Sequence, residues 1–169
     1  MFKWRRGMII RKLAHKAAGI VVIPCPAEQA GVLDQFDALR KEAEREIRIA
    51  NPSITVEDIL RRAVTECREK GVRIRILTRR YEGGFGTNED TLRELSNLLK
   101  GVGEIRIRQS LHAKFFIFDD KCVYITSANL VKGAFYNDEI GVVVRTEDAV
   151  RDAIEYFEEL WKNAEEYKA

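Results

Sequence analysis

Between residues 47 and 78 the hydrophobic residues change period twice, and that switch limits the fold more than any other feature. Ile47 to Ala50 reads as a short strand, and Asn51-Pro52-Ser53 breaks it. Thr55 to Lys70 then repeats apolar residues at helical spacing, with Ile59, Leu60, Val64 and Cys67 on the inner side. Thr55 with Asp58 near the first turn predicts an N-cap, and Gly71 predicts the stop. From Val72 to Thr78, Val72, Ile74 and Ile76 alternate against Arg73 and Arg75, as in a strand. Strand, helix, strand is a βαβ unit, which brings parallel strands together under a helix.

The flanking sequence extends this unit in both directions. From Pro26, Val32, Phe36, Leu39 and Ala43 recur at intervals of three and four, predicting a helix through Glu46. Arg79 to Asn88 is a Gly-rich loop with two arginines, Arg79 and Arg80, and two aromatic residues, directly after a strand. Sheets of this class commonly place ligand contacts there, so both arginines are candidate substrate contacts. Asp90 to Leu99 reads as a helix, with Leu92, Leu95 and Leu98 or Leu99 inward. Four extended stretches follow at Glu104–Gln109, Ala113–Phe118, Val123–Thr126 and Ile140–Arg145. A last helix, from Glu147 to about Tyr167 behind Thr146 as N-cap, places Val150, Ile154, Phe157, Leu160 and Trp161 inward. The sum is an α/β sandwich with a mixed sheet and no internal repeat.

At 169 residues, one compact domain is expected, over residues 26–169. Residues 1–25 read as a basic arm or short anchor. Lys3, Arg5, Arg6, Arg11, Lys12 and Lys16 precede an apolar run from Ala17 to Cys25, which is far short of a bilayer span. The run sits at the low end of an export-signal core, so a docked segment in a cytoplasmic protein is the expectation, with export or membrane association as the alternative. The net charge is +2, from 29 basic and 27 acidic residues, so local clusters rather than a global field must select partners. Cys25, Cys67 and Cys122 are odd in number and lack CxxC spacing, which argues against both a disulfide framework and a cysteine zinc site.

The stretch that carries chemistry begins at His112-Ala113-Lys114 and continues through Asp119, then Thr126-Ser127-Ala128-Asn129, then Asn137-Asp138-Glu139. In a strand, residues two apart share a face, so His112 and Lys114 project together. Asp119, at odd offset, points the other way and is expected to brace the fold. Lys114 supplies fixed charge, while the Asn129 amide and Ser127 hydroxyl are donors for phosphoryl oxygens, which makes all three phosphate-binding candidates. Imidazole is a nucleophile that stays partly unprotonated near neutral pH, and Glu139 is the nearest downstream carboxylate able to orient it. The scheme needs no metal and no cofactor.

This spacing, HxKxxxxD followed by Ser and Asn, resembles the HKD signature of the phospholipase D superfamily. The stretch IRIANPSITVEDILRRAVTECREKGVRIRILT is similar to that family's first strand, helix and second strand, and the resemblance covers about residues 34–166. Thr126 stands where the family usually has Gly. The resemblance implies a phospholipase D-like α/β/α sandwich, with helices flanking a mixed central sheet. Family members use two such motifs, one His attacking phosphorus and the other protonating the leaving oxygen. This chain has one, since His15-Lys16 lacks the intervening residue and the downstream context. A homodimer sharing one active site is therefore implied, with catalytic His112, Lys114, Asn129 and Glu139 and a phosphohistidine intermediate. Small single-motif relatives suggest a nuclease acting on DNA or RNA. Phospholipase or cardiolipin hydrolase activity on a membrane is the alternative. A non-catalytic sensing or dimerisation domain of a regulator ranks third, because every named position of the signature is present and no winged helix is evident.

Overall fold

The computed structural model describes residues 20–25, 31–132 and 137–168. Among these, eight strands and four helices follow in the order β1 (Ile20–Cys25), α1 (Gly31–Lys41), β2 (Glu46–Ala50), α2 (Asp58–Lys70), β3 (Arg73–Thr78), α3 (Glu89–Leu99), β4 (Gly103–Ile107), β5 (Phe115–Phe118), β6 (Cys122–Thr126), β7 (Glu139–Val144), α4 (Glu147–Lys162) and β8 (Glu165–Glu166). The strands form one sheet in the order β1-β7-β6-β5-β2-β3-β4-β8. β2, β3 and β4 are mutually parallel, as the βαβ reading requires, and the remaining neighbours pair antiparallel.

Two hydrophobic clusters show how the sheet is covered. On one face Phe36 and Leu39 of α1, Leu60 and Val64 of α2, and Leu92 and Leu95 of α3 pack on Ile47, Ile49, Ile74, Ile76 and Phe116. On the other, Val150, Phe157, Leu160 and Trp161 of α4 cover Ala50, Leu77, Phe115, Ile117 and Val123. This is the expected α/β/α sandwich with a mixed central sheet.

Four differences from the sequence reading bear on how the sheet is covered and capped. Residues 20–25, assigned there to the arm, pair with all of β7 and form an edge strand of the sheet; the first 19 residues lie outside the described part. Thr55 does not cap α2, whose N-cap is Glu57. Its N–H donates to Leu130 O (2.8 Å) and its hydroxyl accepts from Lys132 N–H (3.2 Å), so Thr55 is spent on the loop after β6. α4 stops at Lys162, and the chain crosses the sheet edge as β8. That crossing carries Tyr167 into the core under the other three helices, where its hydroxyl donates to Glu89 (2.8 Å).

The fourth difference is Arg75, which the alternation set on the polar side of its strand. It is only 7% exposed, because that side lies under α4. Its guanidinium is paired with Glu46 and Glu158 and lies 5.3 Å from the Phe157 ring centroid and 5.2 Å from that of Trp161. Burial alone would lower its proton affinity, but the carboxylates of Glu158 and Glu46 outweigh that and raise it.

Candidate active site

Because β2, β3, β4 and β6 run one way and β5 and β7 the other, one end of the sheet collects the C-terminal ends of the first set and the starts of the second. In open α/β sheets such an end is where ligands bind. Here it holds His112 and Lys114 just before β5, Ser127 and Asn129 just after β6, Glu139 at the start of β7, and Arg79 just after β3.

His112 lies in the irregular segment between the turn at residues 109–110 and β5, rather than within a strand, and it is exposed. Lys114 is half-buried; its ammonium donates to the His112 carbonyl (3.3 Å) and its own carbonyl accepts from Thr126 N–H (3.1 Å). That second bond ties the His-Lys segment to the Ser-Asn loop. Thr126, at the position where glycine was expected, is buried and shapes the loop with its hydroxyl. Its Oγ1 donates to Ile140 O (3.2 Å) and accepts from Ala128 N–H (3.1 Å).

Ser127 bridges the loop to β7. Its hydroxyl donates to Glu139 and accepts from Ile140 N–H (3.0 Å). Its proton is thus directed at Glu139, not outward. The Glu139 carboxylate also accepts from Asn137 Nδ2 (3.5 Å), and among the described residues no hydrogen bond joins it to His112. Asn129 is half-buried, and its Oδ1 is buried with no donor among the described residues. A buried acceptor left open in this way costs roughly 1–3 kcal/mol.

The two arginines separate. The Arg79 guanidinium lies 5.5 Å from the Phe85 ring centroid, with its Nε buried and without a partner among the described residues. Arg80 faces Glu89 at 3.5 Å and lines a hollow with Glu82, Gln109 and Glu165 rather than with His112. Asp119 is not at this end. It follows β5 at the opposite end of the sheet, where its carboxylate accepts from the N–H groups of Glu44, Arg45 and Glu46.

Two residues at the site were given no role of their own by the sequence. Asn51, read as part of a strand break, is fully buried and pins the Ser-Asn loop from below. Its Nδ2 donates to Ala128 O (3.3 Å), and its Oδ1 accepts from Leu130 N–H (3.2 Å) and Ser53 N–H (3.3 Å). The signal available was a polar residue directly after an apolar strand, at the carboxyl end where sites form. Replacing Asn51 with Ala strands two buried groups of that loop, the Ala128 carbonyl and the Leu130 N–H. We expect a loss of about 2 kcal/mol in urea unfolding, together with a fall in turnover of roughly tenfold as Asn129 loses its support. A variant unfolding like the unsubstituted protein would contradict this. The other residue is Phe85, whose ring centroid lies 5.7 Å from that of His112.

A half-buried cation, an exposed imidazole and an amide gathered at the strand ends can hold an anion and present a nucleophile to it. Together with the α/β/α sandwich they define a domain of the phospholipase D class. The chain belongs to the PLD-like domain family: residues 38–161 match the sequence profile described as "Cardiolipin synthase, PLD-like domain". Membership places it among phosphodiesterases of that superfamily. Among solved structures, it is similar to a phospholipase D family member, Nuc, from Salmonella typhimurium, with 21% identity, a TM-score of 0.72, and 89% of this chain and 98% of that one covered. NucT from Helicobacter pylori is similar at 20% identity and a TM-score of 0.72, covering 88% of this chain and 98% of its own. Phosphatidylserine synthase from Haemophilus influenzae Rd KW20 has 17% identity and a TM-score of 0.71, over 88% of this chain but 40% of its own. Comparison with curated protein sequences found no match.

Proposed function

We propose that this chain is one subunit of a homodimeric, metal-independent nuclease that hydrolyses DNA or RNA phosphodiester bonds through a phosphohistidine. The observation that carries the reading is the gathering of His112, Lys114 and Asn129 at one sheet end, with the imidazole exposed. An imidazole nitrogen of His112 attacks phosphorus, the bond to the leaving oxygen breaks, and that oxygen takes a proton from His112 of the partner subunit. Water then attacks the phosphohistidine, giving its proton back to the partner's His112 as the phosphorus–nitrogen bond breaks. Lys114 and the Asn129 amide hold the non-bridging oxygens, and Arg79 meets the substrate backbone. Ser127 and Glu139, bonded to each other, set the loop that carries Asn129.

Nucleic acid is favoured over lipid because this chain spans almost the whole of Nuc and NucT, the size at which single-motif relatives are often nucleases. The description of the matching profile favours the second reading, a phospholipase or cardiolipin hydrolase. No helix among the described residues is long and apolar enough to cross a membrane. The two readings separate in one assay. Purified protein in excess EDTA is offered single- and double-stranded DNA, RNA, and vesicles containing cardiolipin. We expect at least one nucleic acid to be cut and the lipid to remain intact. Lipid hydrolysis with all nucleic acids untouched would move the assignment to the second reading.

A further inference from the structure

The Gly-rich segment after β3 is a closed loop with a tight turn at its tip rather than a loose connection. Arg80 and Thr87 form a parallel bridge and Glu82 and Phe85 an antiparallel one, with Glu82 and Phe85 exchanging both backbone hydrogen bonds (3.0 and 3.2 Å). The two residues between them, Gly83 and Gly84, have φ of 61° and 90°, positive at both central positions of the tight turn. Gly86 runs against the opposite arm, where an added Cβ would come 2.7 Å from the Arg80 carbonyl oxygen. At the base, the buried Thr87 hydroxyl lies 2.7 Å from that of Thr78 and accepts from Ile54 N–H (3.1 Å), while Ser53 Oγ donates to Gly86 O (3.1 Å). The loop is therefore fixed to the ends of β2 and β3, and it delivers the Phe85 ring to His112, 5.7 Å between centroids and 33° between planes.

We propose that Phe85 is a positioning residue for His112, an aromatic wall that holds the exposed imidazole at the angle needed to attack phosphorus. The inference rests on the reading of His112 as nucleophile. Something must fix that ring: the candidate carboxylate, Glu139, is engaged by Ser127 and Asn137, and His112 sits in irregular backbone on the surface. A tilted aromatic pair supplies geometry without adding charge, so it restrains the imidazole and leaves its lone pair free. Arg79 stands over the same ring.

The test compares Phe85→Leu, Phe85→Tyr and Gly86→Ala with the unsubstituted protein. Turnover of bis(p-nitrophenyl) phosphate is measured beside the imidazole proton resonances of His112. His15 is the chain's other histidine, so His112→Asn assigns the signals. Phe85→Leu is expected to lower kcat roughly 3- to 10-fold with KM nearly unchanged, and to move the His112 resonances out of the aromatic ring current. Phe85→Tyr should restore both, and Gly86→Ala, which displaces the loop while keeping the ring, should reproduce part of the loss. Unmoved His112 resonances in Phe85→Leu, or a change confined to KM, would overturn the proposal. The underlying reading fails separately: it falls if His112→Asn turns over normally, whereas an inactive His112→Asn beside a fully active Phe85→Leu removes only the role of Phe85.

Discussion

His112→Asn is expected to reduce phosphodiester hydrolysis by about three to five orders of magnitude while leaving the fold intact, because it removes the nucleophile itself. The side chain is exposed, so the substitution should change stability by no more than about 0.5 kcal/mol, and lost turnover cannot be confused with unfolding. Two further readouts follow from the proposed chemistry. Quenching in base after incubation with a labelled phosphodiester should leave label on the protein that acid releases, since a phosphoramidate is cleaved once its nitrogen is protonated; the Asn variant should carry none. Subunit mixing adds a geometric test. If both imidazoles of a dimer serve one reaction, an equal mixture re-equilibrated with the Asn variant retains about one quarter of the activity of pure dimer, against about one half for independent sites. Retention of one half, or a particle that is active as a monomer, would remove the shared-site mechanism.

The fold was legible where two signals coincided. β2, α2 and β3 were read nearly to their ends because hydrophobic period and Pro/Gly breaks agreed there. What periodicity does not tell is which element covers which face. Alternation sets Arg75 opposite the apolar side of its strand, yet α4, more than seventy residues later in the chain, lies over it and supplies Glu158. The same limit hid β1 and β8. β8 has only two residues and β1 as many as β3, but each is a strand only because an edge of the sheet is there to pair with it. Thr55 had the composition of a cap but was drawn off by Leu130 and Lys132.

At the site, typed spacing located His112, Lys114, Ser127 and Asn129, and the strand directions explain why such distant positions meet: they occupy opposite termini of antiparallel neighbours. Spacing could not assign partners. Glu139 was expected to reach His112, but it is bonded to Ser127. Asn51 and Phe85 carry no motif at all; their place depends on loops folding back over strand ends, which is a tertiary fact.

Asp119→Ala should be the most destabilising single change in the signature, although the residue lies at the far end of the sheet from His112. The carboxylate is 1% exposed and receives three backbone N–H groups, from Glu44 (3.1 Å), Arg45 (2.9 Å) and Glu46 (3.0 Å), where the chain enters β2. Asp119 also sits at φ 52°, a left-handed conformation that Asp tolerates better than Ala. Stranding those donors and adding backbone strain together should cost about 4 kcal/mol in urea unfolding. Asp119→Asn keeps an acceptor and the turn but points an amide N–H₂ at a donor, so roughly half that loss is expected. The pH dependence has a definite sign. Burial alone would raise the carboxyl's proton affinity, but the N–H groups of Glu46, Arg45 and Glu44, with the Lys121 ammonium, outweigh it and hold the folded value below the usual one. Stability from this group is therefore fully present above the unfolded carboxyl's pKa of about 3.9 and is lost as pH falls through the lower folded value. Unfolding curves of the unsubstituted protein and Asp119→Ala should draw closer at low pH, down to the pH-independent strain of Ala at that φ, and stand furthest apart near neutrality. A difference below about 1 kcal/mol at pH 7 would mean that the three N–H groups find water as readily as they found the carboxylate, and that the fifth residue after Lys114 is not what holds β5 to the start of β2.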